Sequence, residues 1–307
     1  MIKNLIKLSL LCVFSLLIVV NQAFIKGAIA QSAAKIDVVR GDVVFPNSYI
    51  VEGESGVVVI DSLLTRDGGS KVRKRVDATG KELLAVIVTH GHPDHYGGIT
   101  TLVDGLGDVP IVALQGVDDV IRRDDASKGE RLAKFEIDWP EQRTFPNTIV
   151  ESNQVLKYGD LELTPITVGE NESDHDTIWI LRQPNAKVAF VGDLIMEGMH
   201  AYTADAHTGE WLATLDSLES QLEDVNRIYP GHGESGGLEL LKPQKDYLTE
   251  FRTQVREIAN CQPSMSEAQA KKLQSRMVNY LGTDKNARWI LESANPVAEE
   301  LAENCQN

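Results

Sequence analysis

The chain has 307 residues, a formal charge of −15 and 42% hydrophobic residues. Acid in that excess repels nucleic acid and anionic membrane faces, which argues against nuclease chemistry and polyanion binding. The composition is otherwise that of a globular protein without repeats or low-complexity tracts, long enough for one substantial core.

Residues 1–30 have a basic front (Lys3, Lys7), an apolar middle and Ala28-Ile29-Ala30 before Gln31. This pattern predicts a secretory signal peptide cleaved after Ala30, placing the mature protein in the periplasm or outside the cell, with no membrane contact after cleavage. Phe24 and Ile25 lengthen the apolar region, so an uncleaved anchor is the alternative. Leu11 stands before Cys12 where lipid attachment needs a small residue. Loss of Lys3, Lys7 and Lys26 makes the mature chain more acidic still. Residues 36–39 and 49–52 read as strands, and Gly53-Glu54-Ser55-Gly56 as the turn into a strand over 57–61. A helix is expected over 71–78, a strand over 83–88, a helix over 97–106 and a strand over 111–114. Charges crowd residues 118–145, which read as a solvated helix. Strands are expected again over 155–158, 161–167 and 177–181. Leu212, Leu215, Leu218 and Leu222 have helical spacing within 211–222. Residues 265–280 and 285–304 read as two helices about the turn Gly282-Thr283-Asp284. As an antiparallel hairpin they bring Cys261 near Cys305, a pair that an exported protein can oxidise; two unrelated thiols are the alternative.

The richest stretch is Thr89-His90-Gly91-His92-Pro93-Asp94-His95-Tyr96-Gly97-Gly98, which comes after the apolar run 83–88 and holds three of the seven histidines. Such a run is a strand buried on both faces, and Gly91 and Pro93 break it into a turn where Asp94 can cap a helix beyond it. The alternation His90, Gly91, His92 lets two imidazoles point one way, while Asp94 and His95 fall on a second side of the turn. Neutral imidazole with carboxylate suits borderline divalent ions such as zinc.

This stretch resembles the HxHxDH signature of the metallo-β-lactamase superfamily. Val188 to Leu194, with Gly192-Asp193, resembles the family's strand ending in a bridging aspartate, and Ile228 to Gly233, with Gly231-His232, its last ligand motif. The likeness runs from about Val43 to His232 and implies an α/β, four-layer αββα sandwich. The expected organisation is a signal peptide (1–30), a hydrolase domain (31–250) and a C-terminal helical extension (251–307). The resemblance implies two Zn2+, with iron or manganese as alternatives, and a metal-bridging hydroxide as nucleophile. His90 and His92 fall on the first metal, Asp94, His95 and His232 on the second, and Asp193 bridges; Asp94 and Asp193 are the catalytic carboxylates. Asp61 would brace the turn below the metals. Residues 118–145, where the family carries substrate-contacting loops, acquire a lid as a second reading.

The sequence departs from the family at its third ligand. Where a His followed by Thr is usual, the chain reads Gly169-Glu170-Asn171-Glu172-Ser173-Asp174-His175. Position favours Glu172 as ligand, as in alkylsulfatase-like members, with His175 as the alternative and otherwise a pocket residue. Tyr96, Met196, Met199, Tyr202 and Trp211 complete the expected pocket, which suits a substrate with an apolar portion. His200 and His207 are given no ligand role. With Glu172 in place the zinc site is formally neutral, which points to a small neutral ester, lactone or thioester. A sulfate ester comes second and a β-lactam third. An iron-dependent redox enzyme and a non-catalytic metal-binding module are the non-hydrolase alternatives.

Overall fold

A computed structural model describes residues 33–303; the expected signal peptide and Cys305 lie outside them. In chain order β1 (Lys35–Arg40), β2 (Asn47–Glu52), β3 (Val57–Ile60), β4 (Leu83–Ile87), β5 (Ile111–Leu114) and β6 (Thr148–Val150) form one sheet in that spatial order. The first three strands pair antiparallel and β3 to β6 run parallel. The second sheet has the order β11-β10-β9-β8-β7, from β7 (Leu156–Tyr158), β8 (Leu161–Gly169), β9 (Asp176–Gln183), β10 (Ala186–Phe190) and β11 (Arg227–Tyr229). All its pairs are antiparallel except β10 with β11.

The two-residue strand period sorts the core into three slabs. In β3, Val58 and Ile60 face the second sheet and meet Trp179, Leu181 and Phe190, while Val57 and Val59 join the opposite slab. That outer slab is closed by α1 (Arg66–Asp77), α2 (Pro93–Tyr96), α3 (Ile99–Val103) and α4 (Gln115–Lys134), which contribute Val72, Ile99, Leu102 and Ile121. The third slab lies between Ile178 and Ala189 of the second sheet and the helices α5 (Thr208–Gln221), α6 (Leu241–Ala259), α7 (Glu267–Leu281) and α8 (Arg288–Glu303). Helix, sheet, sheet and helix therefore stack as the αββα sandwich, and the C-terminal helices belong to its fourth layer.

Several boundaries differ from the sequence reading for packing reasons. Helix α1 starts at Arg66, not near 71, because the Thr65 hydroxyl accepts from Gly68 N at 2.9 Å. Gly68 and Gly69 hide this helix from propensity, yet a Cβ on Gly69 would stand 2.3 Å from the Gly98 carbonyl oxygen. The expected 97–106 helix is shortened to α3, with Gly98 at its N-cap and Asp104 at its C-cap. Residues 118–145 divide into the charged helix α4 and a loop after it. Helix α7 opens on a reciprocal capping box between Ser266 and Gln269.

Position 250 falls inside α6, between the fully buried Leu248 and Phe251. Phe251→Ala is expected to lower stability by about 3–5 kcal/mol, read as a shifted urea midpoint. A chain ending at 250 should fail to give a cooperative transition, because it leaves the third slab open.

Candidate metal centre

Strand β4 delivers the histidine motif to the floor of the site, and one buried carboxylate organises the turn beyond it. Asp61, at the end of β3 with φ +58°, accepts from Thr89 N at 2.9 Å and from the Thr89 hydroxyl at 2.8 Å. Its Oδ2 also lies 2.8 Å from His95 Nδ1. The Thr89 hydroxyl gives its proton to Asp61, so at 3.0 Å it can only accept from His90 Nδ1. Both imidazoles thereby carry hydrogen on Nδ1 and present Nε2 lone pairs to the site. His92, the residue capping α2, is turned the other way. Its Nε2 lies 2.8 Å from Asp205 Oδ2 and its Nδ1 2.8 Å from Glu172 Oε2.

Two groups of donors converge. His90, His92 and Glu172 form one, and Asp94, His95, Asp193 and His232 the other; within each, one ligand atom per residue lies within 4.8 Å of all the rest. Asp193 Oδ2 is 3.1 Å from His232 Nε2 and 3.9 Å from His90 Nε2, so it faces both groups. His90 Nε2, His95 Nε2, His232 Nε2, both Glu172 oxygens and Asp193 Oδ1 are buried without a hydrogen-bond partner. Burying so many polar atoms unsatisfied costs far more than a fold tolerates unless cations take their lone pairs. The donor set fits two divalent ions.

The electrostatics agree. Burial would lower His92 and His232, but Glu172 beside the first and Asp193 beside the second raise them to about 10 and about 9. Burial likewise opposes ionisation of Asp193, which His232 and His95 hold well below the usual carboxylate range.

Two further features position ligands. The turn presenting Glu172 is closed by Asp176, whose Oδ2 accepts from Ser173 N at 2.8 Å, and by Asn171, which donates to the Val168 and Gly169 carbonyls. The loop of His232 is gripped by β2: Asn47 Nδ2 donates to Pro230 O and Gly233 O, and the Tyr49 hydroxyl to Pro230 O at 2.6 Å. A Cβ on Gly231 would stand 1.9 Å from Asp193 Oδ1, so only glycine admits that carboxylate.

The group opens into a cavity of about 320 Å³. Its base is His92, Asp94, Glu172 and Asp193, and Leu64, Leu132, Phe135, Ile137, Tyr202 and Trp289 make apolar walls. Of the six residues expected to line a pocket, Tyr202 alone does so. Tyr96 is buried with its hydroxyl on Asp125, and Met196 and Met199 enter the third slab. Trp211 donates from Nε1 to Leu194 O inside that slab. His175 bonds Thr167 at 3.1 Å and packs over Gly116, apart from both ligand groups. The soft and aromatic side chains lie on the expected segment, but core burial claims them. Asp205, Asn47 and Trp289 escape sequence reasoning, since nothing local marks a residue whose partners lie far along the chain. Within residues 118–145, α4 is the expected charged helix, and its end supplies Arg131 and Leu132 to the cavity wall.

A family model described as the metallo-beta-lactamase superfamily matches residues 41–232. The chain belongs to this superfamily. It is 26% identical over 216 residues to a metallo-beta-lactamase type 2 of Bacillus cereus, covering 68% of this chain and 75% of the relative. It is 37% identical to a linear primary-alkylsulfatase of Pseudomonas, over 60 residues that make up 19% of this chain and 9% of the relative. The solved structure of a metallo-beta-lactamase from Pontibacter korlensis has the same fold, with a TM-score of 0.56 at 18% identity, covering 71% of this chain and 95% of its own. Members of the superfamily are metal-dependent hydrolases.

Metal uptake should release protons. His92 and His232, raised to about 10 and about 9, are charged in the metal-free protein at pH 7.5 and must become neutral to bind. His95, which Asp193 and Asp61 also raise well above the usual imidazole range, adds to them, so calorimetry of zinc addition in buffers of differing ionisation enthalpy should find about two or more protons released, and affinity should rise with pH across this range. Gly231→Ala should lose metal at the Asp193 side, seen as a lower metal-to-protein ratio after gel filtration.

Proposed function

We propose that the protein is an exported dinuclear zinc hydrolase acting on an ester-type bond, in an ester, lactone or thioester, next to an apolar substrate portion. What carries the reading is the two converging donor groups, with atoms of His90, His95, Glu172, Asp193 and His232 orphaned, at the base of an apolar-walled cavity. Imidazole and carboxylate ligands suit zinc, with iron or manganese the alternatives for the same donors, and two zinc ions held there would supply a water of lowered pKa and polarise the acyl oxygen. His90, His92 and Glu172 would hold one ion, Asp94, His95 and His232 the other, and Asp193 both. Asp94, with 12% of its side chain exposed, is the most accessible of the seven and stands where it can take up a proton from the attacking water or pass one to the leaving group. Tyr202 and Trp289 exclude bulk water. Tyr202 stands edge-on to His92 at 5.2 Å between ring centroids, and Trp289 edge-on to His232 at 5.8 Å.

A sulfate ester is the second reading. Its support is Glu172 in the first group and the short stretch of 37% identity to the alkylsulfatase. Zinc-loaded protein assayed on matched acyl esters, alkyl sulfates and a penicillin should give its highest kcat/KM with an acyl ester; fastest turnover of the penicillin would overturn the reading. Asp193→Ala should cut kcat by about a hundredfold or more and lose at least one zinc.

Export rests on the signal-like residues 1–30, and the proposed Cys261–Cys305 bridge on the same compartment. Cys261 is disulfide-bonded, and the chain's third cysteine, Cys12, belongs to the proposed leader. The mass of periplasmic protein should correspond to a chain beginning at Gln31 and carrying no titratable thiol.

A further inference from the structure

We propose that the substrate carries an anionic group at the far end of its apolar portion, seated between Arg131 of α4 and Arg288 of α8. This rests on the reading of the site as an ester hydrolase and revises the expectation of a neutral substrate: the bond at the metals is neutral, but the molecule is an apolar chain with the scissile bond at one end and a carboxylate at the other.

Arg131 and Arg288 line the same cavity as His92, Asp94, Glu172 and Asp193. Their side chains are 46% and 55% exposed, against 12% or less for the seven ligands, so they stand at its outer end. Between them lies a single carboxylate. Glu292 Oε2 is 3.7 Å from Arg131 Nη1, and Glu292 Oε1 is 3.0 Å from Arg288 Nε. Two guanidiniums thus share one acid, which leaves a positive charge at the mouth of a chain whose formal charge is −15.

The donors are also available. The Arg288 guanidinium lies over the Phe135 ring at 4.4 Å, which occupies its face and leaves its N–H edge open. Arg288 Nε lies 3.0 Å from Glu292 Oε1, and the two terminal nitrogens make no hydrogen bond among the described residues. Arg131 spends one weak contact on the Tyr202 hydroxyl at 3.4 Å. The other acid nearby, Asp205, is taken up by His92. A helix surface stabilised by the Arg288 and Glu292 pair, four residues apart, has no use for a second arginine from a different helix. Apolar wall separates the two ends of the cavity: Leu132, Phe135, Tyr202 and Trp289 lie along it. The neutral metal site and the cationic mouth then read different parts of one molecule.

The metal-loaded mature protein tests this by calorimetric binding of suberate and octanoate, which share the chain length and one carboxylate for the metals. Suberate, with its second carboxylate, should bind about tenfold tighter. In the Arg131→Gln/Arg288→Gln double variant that advantage should fall to about twofold or less, and Glu292→Gln, which removes the competing acid, should enlarge it. Equal binding of the two acids, an undiminished advantage in the double variant, or no suberate binding at millimolar concentration would overturn the proposal. None of these outcomes depends on turnover, so an inactive protein in the ester assay would be a separate failure, that of the hydrolase reading.

Discussion

The Asp61 carboxylate is the constraint on which the centre depends. It sits at the end of a fully buried strand, accepts both the amide and hydroxyl of Thr89, and meets His95 Nδ1. One carboxylate so fixes a backbone turn, the tautomer of His95 and, through the Thr89 hydroxyl, that of His90. Two ligands on different sides of the turn obtain their direction from a group that belongs to neither donor group. Without it the imidazoles could rotate, and the lone pairs would find each other's neighbours before they found an ion. Burial makes the arrangement stiff, because no water can substitute for the lost acceptor.

Much of this was legible in the sequence because its signals are local. Buried strands read as unbroken apolar runs, and residues 111–114 coincide with β5. The HxHxDH spacing places four donors within one turn, and Glu172 could be preferred over His175 by counting back from the next strand. The illegible part depends on long-range partners or on competition for the core. Asp205 orients His92 across 113 positions, and Asn47 reaches Pro230 across 183. Met196, Met199 and Trp211 are chemically apt for a pocket, but their apolar surface is worth more inside the third slab, and periodicity over a few residues cannot decide between the two. Gly68 and Gly69 disguised the start of a helix, since the approach that requires a glycine there involves Gly98 from another segment.

The centre and its surroundings have separate origins in the chain. All seven donors fall within residues 90–232, inside the stretch matched by the superfamily model. Asn286, Arg288, Trp289 and Glu292, which close one side of the cavity, lie beyond it. One side of the cavity wall is thereby carried by a segment that can vary independently of the donors, provided that α6 to α8 keep their apolar faces on the second sheet.

The grip of β2 on the His232 loop bears on the order in which the centre can be assembled. Asn47 belongs to one of the first strands, and the carbonyls it holds belong to the loop after the last one. A chain released N-terminus first has His90, His92, Asp94 and His95 in place long before residue 232 appears. An ion that arrives early meets three or four exposed donors without the geometry of either completed group and is free to leave. Tight retention begins only when the two ends of the chain have met. The full donor set is therefore a late product of folding, complete only once the segments around residues 47 and 232 have met.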